Sequence, residues 1–100
     1  MKNIDWSKLS FNYTETKALV YSRCIDGKWE SPVVTEDFNI ALNSFAGIFH
    51  YAPSCFEGLK AFRGVDGKIR LFRPDCNARR MASSAKYLDM PYPSEELFIE

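Results

Sequence analysis

Neither sign of charge predominates in this sequence. Thirteen basic residues are matched by thirteen acidic ones. That balance leaves no electrostatic footprint for nucleic acid and no polybasic patch for an anionic membrane. Histidine is nearly missing: His50 stands alone, without a companion for metal or triad chemistry, and reads as a packed side chain making one hydrogen bond. Cysteine is scarce and odd in number. Cys24, Cys55 and Cys76 are widely separated, show none of the close pairing of a zinc site, and read as reduced thiols of a cytosolic protein. No long apolar run is present either. The longest uncharged stretch, residues 38–56, approaches membrane-spanning length but contains Asn39, Asn43, Ser44, His50, Pro53 and Ser54, which hydrocarbon tolerates poorly together. Residues 1–11 contain Asp5 and lack the apolar centre of a secretory signal. No repeat or low-complexity segment occurs.

What remains is a chain built to fold. Hydrophobic residues make up 46% and aromatic residues 15% of its one hundred positions, enough for one core but small by enzyme standards. A neutral, aromatic-rich surface points to a partner surface, such as the remainder of a larger protein.

Local patterns divide the chain. Trp6 and Leu9 have a spacing that would pin an irregular lead-in to a neighbour. Residues 18–25 are rich in strand formers and run into Asp26-Gly27, a preferred hairpin pair. Residues 28–34 form the expected return strand, with Trp29 packed across the hairpin and Pro32 keeping part of it at an edge. Phe38, Ile40 and Leu42 alternate with Asn39, Ala41 and Asn43, the period-two pattern of a half-buried strand. Residues 44–51 fit either a helical turn or a further strand. Residues 59–63 and 68–72 flank Asp66-Gly67 as a second hairpin. A two-residue turn there would oppose Arg63 to Arg70, which like charges disfavour. Either a bulge at Gly67 shifts the register, the preferred reading, or both guanidiniums splay toward solvent or an acid.

Pro74 suits the first turn of a helix because its missing N–H would have no partner there. Ala78, Met81, Ala82, Ala85 and Leu88 follow at intervals of three and four, giving an apolar stripe and a helix over residues 74–88. Met90-Pro91-Tyr92-Pro93 breaks it. Ser94, followed by Glu95 and Glu96, forms a capping signal. A new helix so near Glu100 leads to the expectation that residues 1–100 are a fragment of a longer protein.

The chain is organised around the run His50-Tyr51-Ala52-Pro53-Ser54-Cys55-Phe56-Glu57-Gly58-Leu59-Lys60-Ala61-Phe62-Arg63-Gly64. Together with Ile69-Arg70-Leu71-Phe72-Arg73-Pro74-Asp75 and Arg79-Arg80-Met81, this run closely resembles the branched-chain amino acid aminotransferases. The resemblance extends from about Phe11 to the C-terminus. It implies an α+β fold, a mostly antiparallel sheet with helices packed to one side, with residues 1–100 forming an incomplete N-terminal small domain of the D-amino-acid-aminotransferase-like fold. It also implies pyridoxal 5'-phosphate (PLP) as cofactor.

Residue by residue, Arg80 matches the arginine that contacts the cofactor phosphate. A guanidinium is always charged and offers two parallel donors to such a group. Tyr51 and Phe56 match residues lining the pocket for the branched side chain, and Phe11 aligns with a further pocket phenylalanine. The lysine that carries the cofactor lies in the family's second domain. None of Lys2, Lys8, Lys17, Lys28, Lys60, Lys68 or Lys86 matches it, so no catalytic residue and no metal ligand is assigned here. Gly58 and Gly64 read as backbone requirements. Glu57 reads as a buried carboxylate in need of a partner. Ser83 and Ser84 are structural.

The implied parent enzyme transfers the amino group of leucine, isoleucine or valine to 2-oxoglutarate and is a cytoplasmic homodimer. Two alternatives stand beside it: another enzyme of the same fold, acting on D-amino acids or as an aminodeoxychorismate lyase, and a stand-alone interaction module that kept the domain without the chemistry.

Overall fold

A computed structural model describes residues 16–100. The secondary structure is mixed α+β, and every strand pair is antiparallel. The expectations for Phe11, Trp6 and Leu9 fall outside the described residues.

The first hairpin forms around Asp26-Gly27. Strand β1 (Leu19–Tyr21) pairs with β4 (Val33–Thr35), and β2 (Cys24–Ile25) pairs with β3 (Lys28–Trp29). Asp26 and Gly27 both have positive φ, 50° and 76°, which matches the right-handed twist of the flanking strands. Ile25 lies opposite Lys28, and the Glu30 N–H donates to the Arg23 carbonyl at 2.8 Å. Beyond that point Tyr21 opposes Val33, so Ser31 and Pro32 together face Ser22 alone. This is a β-bulge, and Pro32 sits where a ladder N–H is not required. The expected return strand is therefore real but interrupted. Trp29 lies opposite Cys24, while its indole N–H donates to the Tyr92 carbonyl at 3.1 Å. It joins the ribbon to the proline-rich segment as well as packing across the hairpin.

The strand expected over residues 38–42 does not form. Phe38, Ile40 and Leu42 alternate correctly, but no other strand pairs with them, and all three are exposed. A period of two selects a face. It does not supply a partner, and an unpaired strand loses the backbone hydrogen bonds that define it. Side chains fix the local path instead: Asp37 Oδ1 accepts the Asn39 N–H at 3.0 Å, and Asn43 Oδ1 accepts the Phe45 N–H at 2.8 Å. The ambiguity over residues 44–51 resolves as a short helix, α1 (Gly47–His50).

The second hairpin pairs β5 (Ala61–Arg63) with β6 (Ile69–Leu71). Arg63 opposes Ile69, and Phe62 opposes Arg70, one position away from the like-charge register. Gly67 takes φ 77° and its N–H donates to the Gly64 carbonyl at 2.9 Å, the geometry of a three-residue loop with a glycine bulge. The displaced guanidiniums find acceptors. Arg70 binds Asp66 through two bonds of 2.7 and 2.6 Å, and Arg63 donates to the Gly67 carbonyl at 2.9 Å.

Helix α2 (Pro74–Tyr87) carries Pro74 in its first turn. It ends in a Schellman motif built on aspartate instead of glycine. Asp89 has φ 54°, its N–H donates to the Lys86 carbonyl, and the Met90 N–H reaches the Ala85 carbonyl at 2.9 Å. Helix α3 (Glu95–Ile99) starts at Ser94, whose hydroxyl accepts the Leu97 N–H at 3.2 Å. The two helices pack together. Among the described residues only Ala78 and Ala85 are buried hydrophobics, and both belong to the stripe expected on α2. Met81 and Ala82 are half-buried, and Leu88 is exposed. No helix among the described residues is long and apolar enough to cross a membrane.

Candidate functional site

The run between α1 and β5 is shaped by a reversal and then by an alternation. Tyr51 closes α1, its N–H donating to the Gly47 carbonyl at 2.8 Å. Ala52 then turns the chain with φ 48°, a left-handed conformation that costs a residue with a Cβ on the order of 1–2 kcal/mol. From there the side chains alternate. Cys55 is half-buried, Phe56 is 81% exposed, and the Glu57 side chain is 4% exposed. In extended chain, successive side chains point to opposite sides. Cys55 and Glu57 face α2, and Phe56 faces away from it.

Both inward residues are tied to the helix. The Cys55 thiol lies 3.9 Å from the Met90 sulfur, at the Schellman end of α2. Glu57 meets Asn77 and Arg80, which occupy one face because they are three apart on a helix. Arg80 Nε donates to Glu57 Oε2 at 2.7 Å, and Arg80 Nη2 donates to Oε1, closing a bidentate pair. Asn77 Nδ2 donates to Glu57 Oε1 at 3.2 Å and to the Gly58 carbonyl at 2.9 Å. The Gly58 N–H adds a further bond to Glu57 Oε1 at 3.0 Å. The Arg80 guanidinium, with help from Asn77 and the Gly58 amide, lowers the Glu57 pKa to about 2. The carboxylate raises the Arg80 pKa in return. Gly58 itself is not forced by geometry, since a Cβ there would meet only the Phe56 ring at 3.9 Å. Gly64 is different: an added Cβ would collide with the Arg70–Asp66 pair.

Arg80 therefore stays on the exposed side of α2, as its place off the apolar stripe implied, but it is held. Its side chain is 69% exposed. Glu57 takes two of its five N–H donors, and the others have no acceptor among the described residues. A fixed guanidinium with donors still open is a suitable grip for phosphate oxygens. Tyr51 is 87% exposed, with its ring tilted against His50 at 6.3 Å. No hydrogen bond joins it to Arg80 among the described residues. The structure thus brings Arg80 to within one residue of Phe56, through Glu57, and leaves Tyr51 apart. His50 makes its single bond, from Nε2 to the Ser44 carbonyl at 2.9 Å, but it is exposed, not packed.

Sequence reasoning singled out Arg80 and read Glu57 as an enclosed carboxylate needing a partner, but did not join the two. Asn77 could have been noticed because it shares a helix face with Arg80, whereas Glu57 lies 23 residues away. A second polar system lies beside the first. Asp75 accepts two bonds from Arg73, at 2.9 and 2.8 Å, and one from Arg79 at 2.7 Å; Arg79 also reaches Glu95 at 3.3 Å. The Arg73 fork above all holds the Asp75 carboxyl well below its usual range. This chain of charges links the start of α2 to α3 and accounts for the Arg-Pro-Asp sequence structurally. Ser83 and Ser84 line a shallow groove with Tyr87 and Leu88. No group of three or more His, Cys, Asp or Glu residues among those described could hold a metal ion.

Comparison with known proteins finds aminotransferases among those that the chain is similar to. No family model matches it. It is 42% identical over 99 residues to a branched-chain-amino-acid aminotransferase of Haemophilus influenzae, which covers 99% of this chain and 29% of that protein. It is 38% identical over 100 residues to the branched-chain-amino-acid aminotransferase of Helicobacter pylori, covering 100% of this chain and again 29% of the relative. A methionine aminotransferase of Arabidopsis thaliana is 36% identical over 98 residues, 97% of this chain and 28% of its own length. The chain is similar to branched-chain-amino-acid aminotransferases, as its central run indicated, and spans less than a third of the length of these relatives.

Proposed function

We propose that the chain is the N-terminal small domain of a PLP-dependent aminotransferase that transfers the amino group of leucine, isoleucine or valine to 2-oxoglutarate. The observation carrying this reading is identity of 42% with such an enzyme across nearly the whole chain. The site geometry agrees with it. Arg80 would hold the cofactor phosphate through the donors that Glu57 leaves open. Phe56 and Tyr51, both largely exposed here, would form the apolar wall for a branched side chain, with the Tyr51 phenol able to make one hydrogen bond at its edge. Phe11 would add to the same wall. The cofactor, when bound, supplies the electron sink for loss of the substrate's Cα proton. The residues of this chain bind, orient and exclude water.

The methionine-directed relative fits the same pocket chemistry, because methionine presents an unbranched apolar chain of similar reach. The uncovered apolar surface, including Phe45 at 88% and Tyr51 at 87% exposure, agrees with a second domain and a homodimer that close over it. The three free cysteines agree with a reducing cytoplasm. Since no lysine of the chain matches the cofactor-bearing one, the hundred residues on their own are expected to be inactive.

The test is Phe56→Ala in the complete protein. The lost apolar contact amounts to about 1–3 kcal/mol, so kcat/KM for leucine falls by about 10- to 100-fold while glutamate turnover changes little. Equal losses for both substrates would move Phe56 from the pocket to the core.

A further inference from the structure

Glu57 has an arrangement that a mere surface ion pair lacks. Its side chain is only 4% exposed, and it engages four donors on three residues: two on Arg80, one on Asn77 and one on Gly58. Arg80, its main partner, is 69% exposed and would otherwise move freely among many rotamers. We infer that Glu57, supported by Asn77, is a positioning residue that fixes the plane of the Arg80 guanidinium so that its remaining N–H donors meet a phosphate monoester. The inference rests on the proposed role of Arg80 and extends it to the two residues that hold it.

Two effects of Glu57 on a phosphate oppose one another. Its negative charge repels the anion. Its forked bond holds the guanidinium still, so little orientational freedom remains to be lost on binding. Across partly solvated distances the repulsion is weak and screened by salt. Residues that orient a ligand-binding group, by contrast, commonly change affinity 10- to 100-fold when removed, as at metal sites. Orientation therefore wins, and the sign of the change is diagnostic. Neutralising Glu57 should weaken phosphate binding, not strengthen it. The carboxylate stays ionised at any working pH because Arg80 holds its pKa at about 2, so the clamp does not open near neutrality.

The experiment uses the complete protein and two probes, PLP and pyridoxal, which differ only in the phosphate. Dissociation constants are measured for wild type, Arg80→Ala, Glu57→Gln and the double variant, and thermal unfolding is recorded for each. Arg80→Ala should weaken PLP about 100-fold and leave pyridoxal unchanged. Glu57→Gln should weaken PLP about 10-fold, again without affecting pyridoxal, and should add nothing in the Arg80→Ala background. Glu57→Asp, which keeps the charge but shortens the reach, should also weaken PLP and so separates geometry from charge in case the glutamine variant folds poorly. If Arg80→Ala leaves PLP affinity intact, the phosphate role of Arg80 fails and the inference fails with it. If Arg80→Ala weakens PLP while Glu57→Gln leaves it unchanged or tightens it, only the positioning role is overturned. Equal losses for PLP and pyridoxal would likewise overturn it, by showing general damage to the fold.

Discussion

The helices and the strand ribbons both carry apolar residues, but only the helices bury any among the described residues. Ala78 and Ala85 are buried on the inner face of α2. The ribbons and the run between them leave Val34, Ile40, Phe45 and Phe56 at least two-thirds exposed. The contrast separates two kinds of apolar residue. Those on α2 are covered among the described residues. Those on the ribbons alternate correctly for a sheet face that nothing among the described residues covers.

The sharpest way to break that contrast is to compare a small buried residue with a large exposed one. Ala85→Asp places an unpaired charge at a position 2% exposed and should cost about 3–5 kcal/mol in urea unfolding. Phe45→Ser, at 88% exposure, should stay within about 0.5 kcal/mol in the hundred-residue chain. In the complete protein the serine substitution should become costly, by about 3 kcal/mol as for a deleted core aromatic. A change that remained silent there would mean that no partner covers this face.

Smaller effects come from the devices that end the elements. Ser94→Ala removes the hydroxyl that accepts the Leu97 N–H and should cost about 1 kcal/mol. Gly67→Ala forces a Cβ into φ 77° and should cost about 1–2 kcal/mol. Amide exchange should locate the first loss in α3 and the second in the β5–β6 hairpin. Exchange that rose across both regions together would show that helices and ribbons open as one unit, against the separation drawn above.

How much of this was legible in the sequence follows the range of each interaction. The α2 boundaries were legible because Pro74 and the three-and-four spacing are local signals. The first turn was legible because Asp26-Gly27 selects its own geometry, and the register of the second hairpin because Arg63 opposite Arg70 would repel. Residues 38–42 misled because alternation is local and pairing is not. Arg80 was singled out through resemblance alone. Its holder Glu57 was visible as a buried carboxylate in need of a partner, but the partner was not, since no local rule connects positions 57 and 80. The Asp75 network was missed for a related reason: Arg73, Arg79 and Glu95 converge on it only after α2 and α3 pack.

The finest distinction is between two carboxylate–arginine pairs, one in each region. Glu57 and Asp66 both bond a guanidinium in forked fashion, and both carboxyls have pKa values lowered chiefly by that arginine. A lowered pKa means the folded form binds its proton more weakly than the unfolded one. Each pair therefore stabilises fully above the ordinary carboxylate range and is lost as pH falls through the folded value, about 2 for Glu57. Their surroundings differ, with side-chain exposure of 4% at Glu57 and 42% at Asp66. Salt screens exposed charges far more effectively than enclosed ones. Carboxyl titrations followed by NMR in the complete protein should show the Asp66 midpoint rising toward its usual value at about 1 M salt, while that of Glu57 moves little. If both midpoints rise together, the Glu57 pair is an ordinary surface contact, and Arg80 is no more firmly held than Arg70.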